Sequence, residues 1–329
     1  MSMGRFILKR ALQGILVIWG VVTVVFLLRF ITPGDPVAVI APLDASQELR
    51  RQIAAELGLN RPLYVQYFDY VTDLMRGDMG YSYRSGTEVT PRVLAKLPAT
   101  LELAITSTIV AIVLSIPLGV ISATRRHQPS DYAATLFSLV GISTPNFWLG
   151  IMLVLVLAVQ FNFFPTSTRG MGFTSAVGML VLEQDLGGLG TWLHHIALPS
   201  ITLGTYFTAL ITRLTRSGML EELGKTYIRA LRAKGLPSTL VLYKHALRNT
   251  LIPVITVLGL QLGTLIGGAV ITEAVFDWPG LGTLVINSIN ARDWPLIQGC
   301  LIVIGAGFVI INLVVDTLYA YINPRVVYD

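Results

Sequence analysis

The chain has 329 residues, of which 53% are hydrophobic and only 13% are charged. A soluble domain carries about 25% charged residues, so the composition excludes a soluble globular domain and indicates that lipid covers much of the exterior. The net charge of +5 does not indicate nucleic-acid binding, because the basic residues flank apolar stretches instead of covering a soluble face. The single cysteine, Cys300, excludes an internal disulfide.

The sequence predicts about six membrane spans, each apolar over the roughly 20 residues that a spanning helix requires. They cover residues 11–31, 101–124, 133–161, 196–214, 251–271 and 296–322. The fourth is the weakest because it is rich in threonine, and Pro145-Asn146 within the third predicts a kink. The first resembles a signal peptide, but no small-residue cleavage site follows it, which predicts a retained anchor.

The segment between the first two spans, residues 32–99, is long enough to have its own structure. Ser46 is a suitable N-cap for a helix over residues 47–57, which Gly58 would end. A second helix is predicted from residue 62 to about residue 75, with a glycine beyond it. Two interpretations stay open. The insertion is a small cap on the bundle, or it is a docking surface for another protein.

Charged residues are divided between the two ends of the predicted spans, and this sets the orientation. The basic residues that fall on one side are Lys9, Arg10, Arg125, Arg126, Arg213, Arg216, Lys225, Arg229, Arg232, Lys234, Lys244, Arg248 and Arg325. Most carboxylates fall on the opposite side. Because basic loops remain in the cytoplasm, both termini are predicted to be cytoplasmic.

The segment after the fourth span, residues 217–249, is basic and is interrupted at Gly235-Leu-Pro237. This pattern predicts two short helices that meet at Gly235. Residues at helical spacing predict an apolar strip edged by positive charge: Tyr227, Ala230, Leu231 and Lys234. A helix that is merely solvated needs no such strip, so the strip indicates a docking surface. The alternative to docking on a protein is a helix that lies on lipid headgroups.

Two motifs in this segment, with others along the chain, resemble those of a known family. Arg229-Ala-Leu-Arg-Ala-Lys-Gly235 and His245-Ala-Leu-Arg-Asn-Thr-Leu-Ile-Pro253 are similar to the coupling-loop signature of binding-protein-dependent ABC import permeases. More narrowly, they resemble the first permease subunit of dipeptide and oligopeptide systems. Other matching pieces follow in order: Arg5-Phe-Ile-Leu-Lys-Arg10, Pro33-Gly-Asp-Pro36, Arg76-Gly-Asp-Met-Gly80, Leu97-Pro-Ala-Thr-Leu-Glu-Leu103, Ser143-Thr-Pro-Asn-Phe-Trp-Leu-Gly150, Phe276-Asp-Trp-Pro-Gly-Leu-Gly282 and Asp316-Thr-Leu-Tyr-Ala-Tyr-Ile-Asn-Pro-Arg325.

The chain departs from the general permease signature at two positions. Arg229 stands where that signature has Glu, and Arg248 stands where it has its first Pro. This departure is similar to what the peptide branch itself shows. It weakens a sugar or amino-acid permease assignment more than it weakens the coupling role.

The resemblance implies an all-α membrane protein with the transmembrane domain of a type I ABC importer, about six transmembrane helices and a structured extracytoplasmic insertion. It divides the chain into an N-terminal transmembrane helix (1–31), the insertion (32–99), a five-helix permease core (100–323) with the coupling segment 217–249, and a cytoplasmic tail (324–329). The implied location is the bacterial or archaeal cytoplasmic membrane. The implied partners are a second, homologous permease in a heterodimer, two ATP-binding subunits, an extracytoplasmic solute-binding protein and membrane lipid. No cofactor is expected in this chain, because ATP and Mg²⁺ would be bound by the partner ATPases.

By the same resemblance, the coupling segment docks on an ATPase subunit. Gly235 would allow the sharp turn, alanines would permit close approach, and basic side chains would orient docking. The residues assigned to this role are Arg229, Ala230, Arg232, Ala233, Lys234, Gly235, Leu236 and His245. The implied substrates are di- and oligopeptides. Nickel chelates, glutathione, opines and oligosaccharides remain alternatives, because specificity in this branch usually resides in the binding protein.

Span five carries glycines at intervals of four residues, a spacing that lets helices approach closely. Either they pack inside this subunit, or they line a pore seam against a second permease, with polar neighbours nearby. The candidate translocation path comprises Gly259, Gly263 and Gly267, the neighbours Gln261 and Thr264, and Asn146 at the expected kink.

Other chemistries find little support in the sequence. Gly224-Lys225-Thr226 imitates the end of a phosphate-binding loop, but the position that requires an earlier Gly is Met219. No metal-binding cluster, nucleophile or acid–base pair is recognisable, so a non-catalytic transport subunit is predicted. An ion-coupled secondary transporter would carry inverted repeats and buried coupling carboxylates, and neither is evident. Glu102 and Asp316, near span ends, are predicted to be structural partners of basic groups.

Overall fold

The computed structural model describes residues 3–31, 36–42 and 44–322. Within these ranges the chain is helical almost throughout, and strand-like pairing is limited to one bridge between Tyr81 and Glu88. Residues 33–35 of the Pro-Gly-Asp-Pro motif and the predicted tail 324–329 lie outside the described residues. The prediction of an all-α membrane protein is confirmed.

The helices form an N-terminal helix, an outer group and a bundle. The N-terminal helix is α1 (Met3–Ile31), and the outer group is α2 (Pro36–Ile40), α3 (Gln47–Glu56) and α4 (Leu63–Met75). The bundle and its attached short helices are α5 (Val89–Thr124), α6 (Pro129–Ser143), α7 (Asn146–Leu153), α8 (Phe173–Glu183), α9 (Gly187–Gly224), α10 (Thr226–Ala233), α11 (Ser238–Leu240), α12 (Arg248–Val275), α13 (Leu281–Ala291) and α14 (Trp294–Ile322). Two π-helical turns continue α7 and lead into α12: Val154–Gln160 and Val241–Leu247.

Within the described residues, four helices are long and apolar enough to cross a membrane: α1, α5, the helix that runs from α11 into α12, and α14. The pair α6–α7, bent by 109° beside Pro145, makes a fifth if it is one span. The predicted kink is therefore a sharp break. The predicted number of about six also included α9, which is 38 residues long but does not meet the same apolar criterion.

The position of α9 explains its composition. It packs along α5 at the centre of the bundle, where a Cβ added to Gly204 would lie 2.8 Å from the Ser107 carbonyl oxygen of α5. Buried hydroxyls donate to carbonyls one turn earlier, as Thr208 does to Gly204 (2.9 Å) and Ser107 to Leu103 (2.6 Å). A helix enclosed by other helices needs small residues for close approach more than an apolar surface for lipid.

Both predicted helices of the insertion are confirmed. The Ser46 hydroxyl accepts a hydrogen bond from the Leu49 N–H (3.2 Å) at the start of α3. Gly58 beyond α3 has φ +65° and Gly77 beyond α4 has φ +83°. These left-handed conformations favour glycine and end each helix.

The insertion is fastened to the bundle at two places. The buried Asp293, between α13 and α14, accepts hydrogen bonds from the Ser82 hydroxyl and from the Tyr83 N–H (3.1 Å). The second contact is with the N-terminal helix, where the hydroxyls of Thr23 in α1 and Tyr67 in α4 lie 2.7 Å apart. These contacts support the interpretation of the insertion as a cap on the bundle.

The motif between α12 and α13 forms a buried clasp. Trp278 is fully buried, and its Nε1–H donates to the Ala99 carbonyl of α5 (2.8 Å). The buried Glu273 carboxylate accepts hydrogen bonds from the Thr100 hydroxyl (2.6 Å) and the Gly282 N–H (2.7 Å). Because a carboxylate near a helix N-terminus stabilises the free N–H groups there, Glu273 fixes the start of α13 to α5.

Candidate functional site

The segment after α9 folds as a short helix, a left-handed glycine and a further helical turn. α10 ends at Ala233, and the Gly235 N–H donates to the Arg232 carbonyl (2.9 Å). Gly235 has φ +78°, and an added Cβ would meet no atom of the described residues within 4 Å. The predicted turn at Gly235 is confirmed, and this position requires glycine for its backbone conformation instead of for close packing within the chain.

The outward side of α10 carries basic side chains with small side chains between them. The predicted coupling residues exposed on α10 and just beyond it are Arg229, Ala230, Arg232, Ala233, Lys234 and Gly235, and Thr226 and Tyr227 of α10 are exposed as well. Leu236 is half-buried beyond the turn, and His245 is half-buried in the π-helical turn before α12. The structure therefore brings most of the predicted coupling residues together on one continuous surface.

The inward side of α10 differs from the predicted strip. Ile228 is fully buried against Val120 of α5, Met219 of α9 and the turn before α12, and Leu231 packs on the same cluster. Ala230 and Lys234 are exposed. The buried side of α10 is therefore not the strip of Tyr227, Ala230, Leu231 and Lys234, of which only Leu231 packs on the cluster.

Four polar side chains, here called the polar clamp, bind α10 to the spans on either side: Glu222, Lys225, Tyr227 and Asn249. The Lys225 ammonium donates to one oxygen of the Glu222 carboxylate, and the Tyr227 hydroxyl donates to the other (2.7 Å). Asn249, at the start of α12, donates its amide to the Tyr227 hydroxyl (3.0 Å). The clamp thus joins the end of α9, the start of α10 and the start of α12.

The contacts of the clamp also set its charge states. Burial opposes ionisation of the Glu222 carboxyl, but hydrogen bonds from Lys225, Tyr227 and Asn249 outweigh this effect and hold its pKa below the ordinary value. Burial and the hydrogen bond to Glu222 raise the pKa of the Tyr227 hydroxyl. At neutral pH Glu222 is therefore an anion that receives three donors.

A buried ion pair lies at the same end of the bundle. Asp131 of α6 is buried and receives a bidentate contact from Arg216 of α9, with Nε 2.7 Å and Nη2 3.0 Å from the carboxylate oxygens. The Ser122 hydroxyl of α5 donates to the same carboxylate (2.5 Å), as does the His127 N–H (3.0 Å). This pair fixes three helices beneath α10, and the sequence analysis did not find it.

The residues of the candidate translocation path fall into two groups: two are packed against α14, and four keep accessible surface. Gly259 and Gly263 face α14 of the same chain, where a Cβ added to Gly263 would lie 2.8 Å from Asn312 Nδ2, as the intrasubunit interpretation expected. Gly267 and Thr264 are exposed, and among the described parts of the chain no atom lies within 4 Å of a Cβ added at Gly267.

The other two path residues are half-buried. Gln261 accepts a hydrogen bond from the Thr264 hydroxyl at its side-chain oxygen (3.1 Å). Asn146 begins α7 at the break after α6. Four of the six candidates therefore keep accessible surface.

Both carboxylates predicted to pair with basic groups do so. Glu102 of α5 binds the guanidinium of Arg169 with contacts of 2.5 and 3.0 Å. Asp316 of α14 lies 3.3 Å from Arg10 of α1. These pairs tie the ends of neighbouring elements together, and the predicted structural roles are confirmed.

The remaining sequence features are engaged within the chain. Lys225, in the phosphate-loop lookalike, binds Glu222 and lies 3.6 Å from Glu221. The ring nitrogens of His194 and His195 contact different backbone carbonyls, at 2.7 and 2.8 Å. Among the residues that the structure describes, no three His, Cys, Asp or Glu side chains are grouped as metal ligands.

Comparison with known proteins gives matches over almost the whole chain. The family described as binding-protein-dependent transport system inner membrane component matches residues 115–328, and its N-terminal counterpart matches residues 3–104. The oligopeptide transport system permease protein AppB of Bacillus subtilis is 40% identical over 99% of this chain and 100% of its own. The dipeptide transport system permease protein DppB of Escherichia coli K12 is 40% identical, with 98% of both chains covered.

A third relative differs in the substrate that its name gives. The glutathione transport system permease protein GsiC of Escherichia coli O6:H1 is 37% identical over 98% of this chain and 99% of its own. All three relatives are matched end to end, so the likeness includes the insertion, α10 and the polar clamp region. The chain belongs to the family of binding-protein-dependent transport system inner membrane components, the membrane subunits of ABC importers.

Proposed function

We propose that this chain is a permease subunit of an ATP-driven importer of di- and oligopeptides and that α10 couples it to a separate ATPase subunit. The observation that carries the coupling role is the surface of α10. Its aliphatic side chains Ile228 and Leu231 pack on the chain itself, and its outward side offers Arg229, Arg232 and Lys234 between alanines. Such a surface fits a groove in another protein, because alanine permits close approach and the charges orient docking.

A role for α10 on the lipid surface has less support. A helix that lies on headgroups buries its apolar side in the membrane interface. In α10 that side is occupied, since Ile228 is fully buried and Leu231 packs beside it. The side left for a partner is basic and nearly free of large apolar groups, so we favour a protein partner.

The polar clamp supports transmission of force from α10 to the spans. Glu222 belongs to α9 and Asn249 to α12, and Tyr227 of α10 hydrogen-bonds to both. A displacement of α10 would therefore move both spans. In the proposed mechanism, two ATPase subunits bind ATP and Mg²⁺, their closure moves α10, and the bundle opens outward to accept solute from a binding protein.

The proposed assembly is a heterodimer with a second, homologous permease, so that this chain forms half of the translocation path. Their exposed or half-buried positions support a contribution from the polar residues Asn146, Gln261 and Thr264 and from Gly267. Gly259 and Gly263 pack against α14 of the same chain, so we give them a structural role.

The proposed orientation has both termini in the cytoplasm and the insertion outside, because the basic ends of the spans remain inside. Cysteines placed at Ser46 and Ser238 test it with an impermeant maleimide on intact cells, in a Cys300→Ala background. We expect labelling at position 46 and not at 238. The reverse pattern would invert the orientation.

The substrate class rests on the relatives. The names of AppB and DppB give oligopeptides and dipeptides, and they favour peptides for this chain. Glutathione is the alternative substrate, supported by GsiC at 37% identity. Both are peptide-like, so a direct competition assay is needed to separate them.

The test is uptake by the assembled complex, co-expressed with the subunits encoded beside this chain and reconstituted in vesicles with its binding protein. We expect uptake of a labelled dipeptide to require ATP and to continue when ion gradients are collapsed. An unlabelled oligopeptide should inhibit this uptake more strongly than glutathione does. Uptake driven by an ion gradient without ATP would overturn the proposal, and uptake of glutathione alone would replace the substrate. The purified chain by itself is expected to hydrolyse no ATP.

A further inference from the structure

Helix α4 of the insertion carries an exposed apolar stripe that the coupling function does not use. Tyr64, Phe68 and Met75 are 75%, 71% and 79% exposed. At about 100° per residue, these side chains fall within about 40° of one another around the helix axis. Large apolar side chains that are grouped and exposed in this way mark an interaction surface.

A different side of α4 faces the bundle. The Tyr67 hydroxyl lies 2.7 Å from the Thr23 hydroxyl of α1, and its ring packs edge-on against Phe26 with 5.2 Å between centroids. Tyr70 and Leu74 pack on the apolar cluster that α1 and α14 form. The exposed stripe is therefore beside the bundle contact and not part of it.

The third side of α4 is charged. Asp69 pairs with Arg61 at 3.0 Å and Asp73 lies 3.8 Å from Arg76, with about half or more of each side chain exposed. The centre of this charged side lies about 140° around the axis from the apolar stripe. α4 thus presents three separate surfaces, of which one is already occupied.

The contact with α1 locates α4 relative to the membrane. Thr23 lies eight residues before the end of α1 at Ile31 (31 − 23), which is about 12 Å along the helix at a rise of 1.5 Å per residue. α1 is long and apolar enough to span a membrane, and of its residues only Val22, Val25 and Phe26 are buried, so most of its surface is available to lipid. The stripe on α4 consequently lies beside the last turns of a lipid-facing helix.

We propose that Tyr64, Phe68 and Met75 insert into the interfacial region of the outer lipid leaflet, so that α4 is an in-plane membrane anchor for the insertion. Aromatic side chains are enriched at this depth, and a helix with separate apolar and charged sides lies in the plane of the interface. Lipid fits better than a protein partner, because the stripe is uncharged and lies on a helix that packs against the apolar and largely uncovered α1. The side with Asp69 and Asp73 remains in water. The proposed orientation enters only in naming the leaflet.

The test measures lipid contact at single positions in the assembled complex. Cysteine replaces Phe68 on the stripe or Asp73 on the charged side, in a Cys300→Ala background, and is labelled with bimane. The complex is reconstituted in phosphatidylcholine vesicles with or without lipid brominated near the headgroup end of its acyl chains. We expect blue-shifted emission and severalfold stronger bromine quenching at position 68 than at position 73. A probe at Leu16, on the exposed side of α1, shows that the brominated lipid is in contact with the protein.

A second stripe position keeps the test independent of any one substitution. Tyr64→Cys should behave like Phe68→Cys, because both side chains lie on one side of the helix. Equal quenching at positions 64, 68 and 73, with clear quenching at 16, would overturn the proposal and leave the stripe as a water-exposed surface open to a protein. The measurement needs neither ATP nor solute, so its outcome is separate from the outcome of the uptake assay.

Discussion

Two short helices outside the spans, α10 and α4, combine apolar and charged side chains but use them differently. In α10 the large aliphatic side chains Ile228 and Leu231 pack against the helices of the bundle. The surface left to a partner therefore consists mainly of basic and small side chains. In α4 the bundle covers one side, and a second apolar stripe through Phe68 remains exposed. The comparison teaches that an amphipathic sequence does not identify the partner of a helix. The partner depends on which apolar side chains the chain covers by itself.

The largest expected difference between the two regions lies in their ion pairs. Asp131→Ala would leave Arg216 partly buried without its partner beneath α10, which we expect to cost about 3–5 kcal/mol. Asp69→Ala removes an exposed pair beside α4, for which we expect less than about 1 kcal/mol. Thermal unfolding of the purified chain in detergent measures both changes. Equal shifts in Tm for the two variants would show that the pair beneath α10 is not the more stabilising one.

Gly235→Val tests the backbone at the outer end of α10. A β-branched residue at φ +78° should cost about 1–3 kcal/mol of local strain, while the spans remain intact. We expect normal expression and membrane insertion, a steep loss of uptake, and ATPase activity that no longer responds to the binding protein. Gly224→Val is the matched control, because Gly224 has open space and no positive φ. Normal uptake by the Gly235 variant would remove this turn from the coupling pathway.

Tyr227→Phe tests the polar clamp. Loss of the hydrogen bond to the Glu222 carboxylate should cost about 1–2 kcal/mol and weaken the ATPase response to the binding protein. Because the pKa of Glu222 is lowered in the fold, its contribution to stability is present at neutral pH and is lost as the pH falls through the lowered pKa. Unfolding measured against pH should show a smaller loss on acidification in the variant. Tyr243→Phe, an exposed tyrosine nearby, should change neither property.

The smallest effects are expected from the exposed arginines. Arg229→Ala and Arg232→Ala should each weaken coupling by less than about 1 kcal/mol, and raised salt should reduce the difference from wild type. ATPase activity and uptake at two salt concentrations measure this. Arg61→Ala, beside α4, is the control that should leave coupling unchanged. A dependence on membrane composition instead of on salt would favour a lipid-surface role for α10.

Much of the fold follows from the sequence, because single helices are set by local signals. Ser46, Gly58 and Gly77 mark the helix ends of the insertion, and they lie at the predicted positions. The helix α9 did not follow the same rule. Its span was predicted from an apolar pattern, but protein encloses this helix and hydroxyls such as that of Thr208 bond within it, so its composition is not that of a lipid-facing helix.

The candidate site was predictable only in its local part. The turn at Gly235 has a sequence signature, whereas Glu222 and Asn249 meet across 27 residues and Asp131 and Arg216 across 85. Such pairs depend on how the spans pack, and one sequence carries no signal that joins them. The buried side of α10 was not predictable for the same reason, since the surface on which Ile228 packs is built from α5, α9 and the turn before α12.

The π-helical turn Val241–Leu247 sets the rotation of α12 about its own axis relative to α10. A π-helical turn accommodates one residue more than the α-helix around it, and each residue of an α-helix corresponds to about 100° of rotation. If the seven residues of this turn adopted ordinary α-helical spacing instead, the extra residue would rotate α12 by about that angle relative to α10. Gly259 and Gly263 would then face away from α14, and bulkier side chains would face it. The π-helical turn between Gly235 and α12 therefore determines which face of this span meets its neighbour.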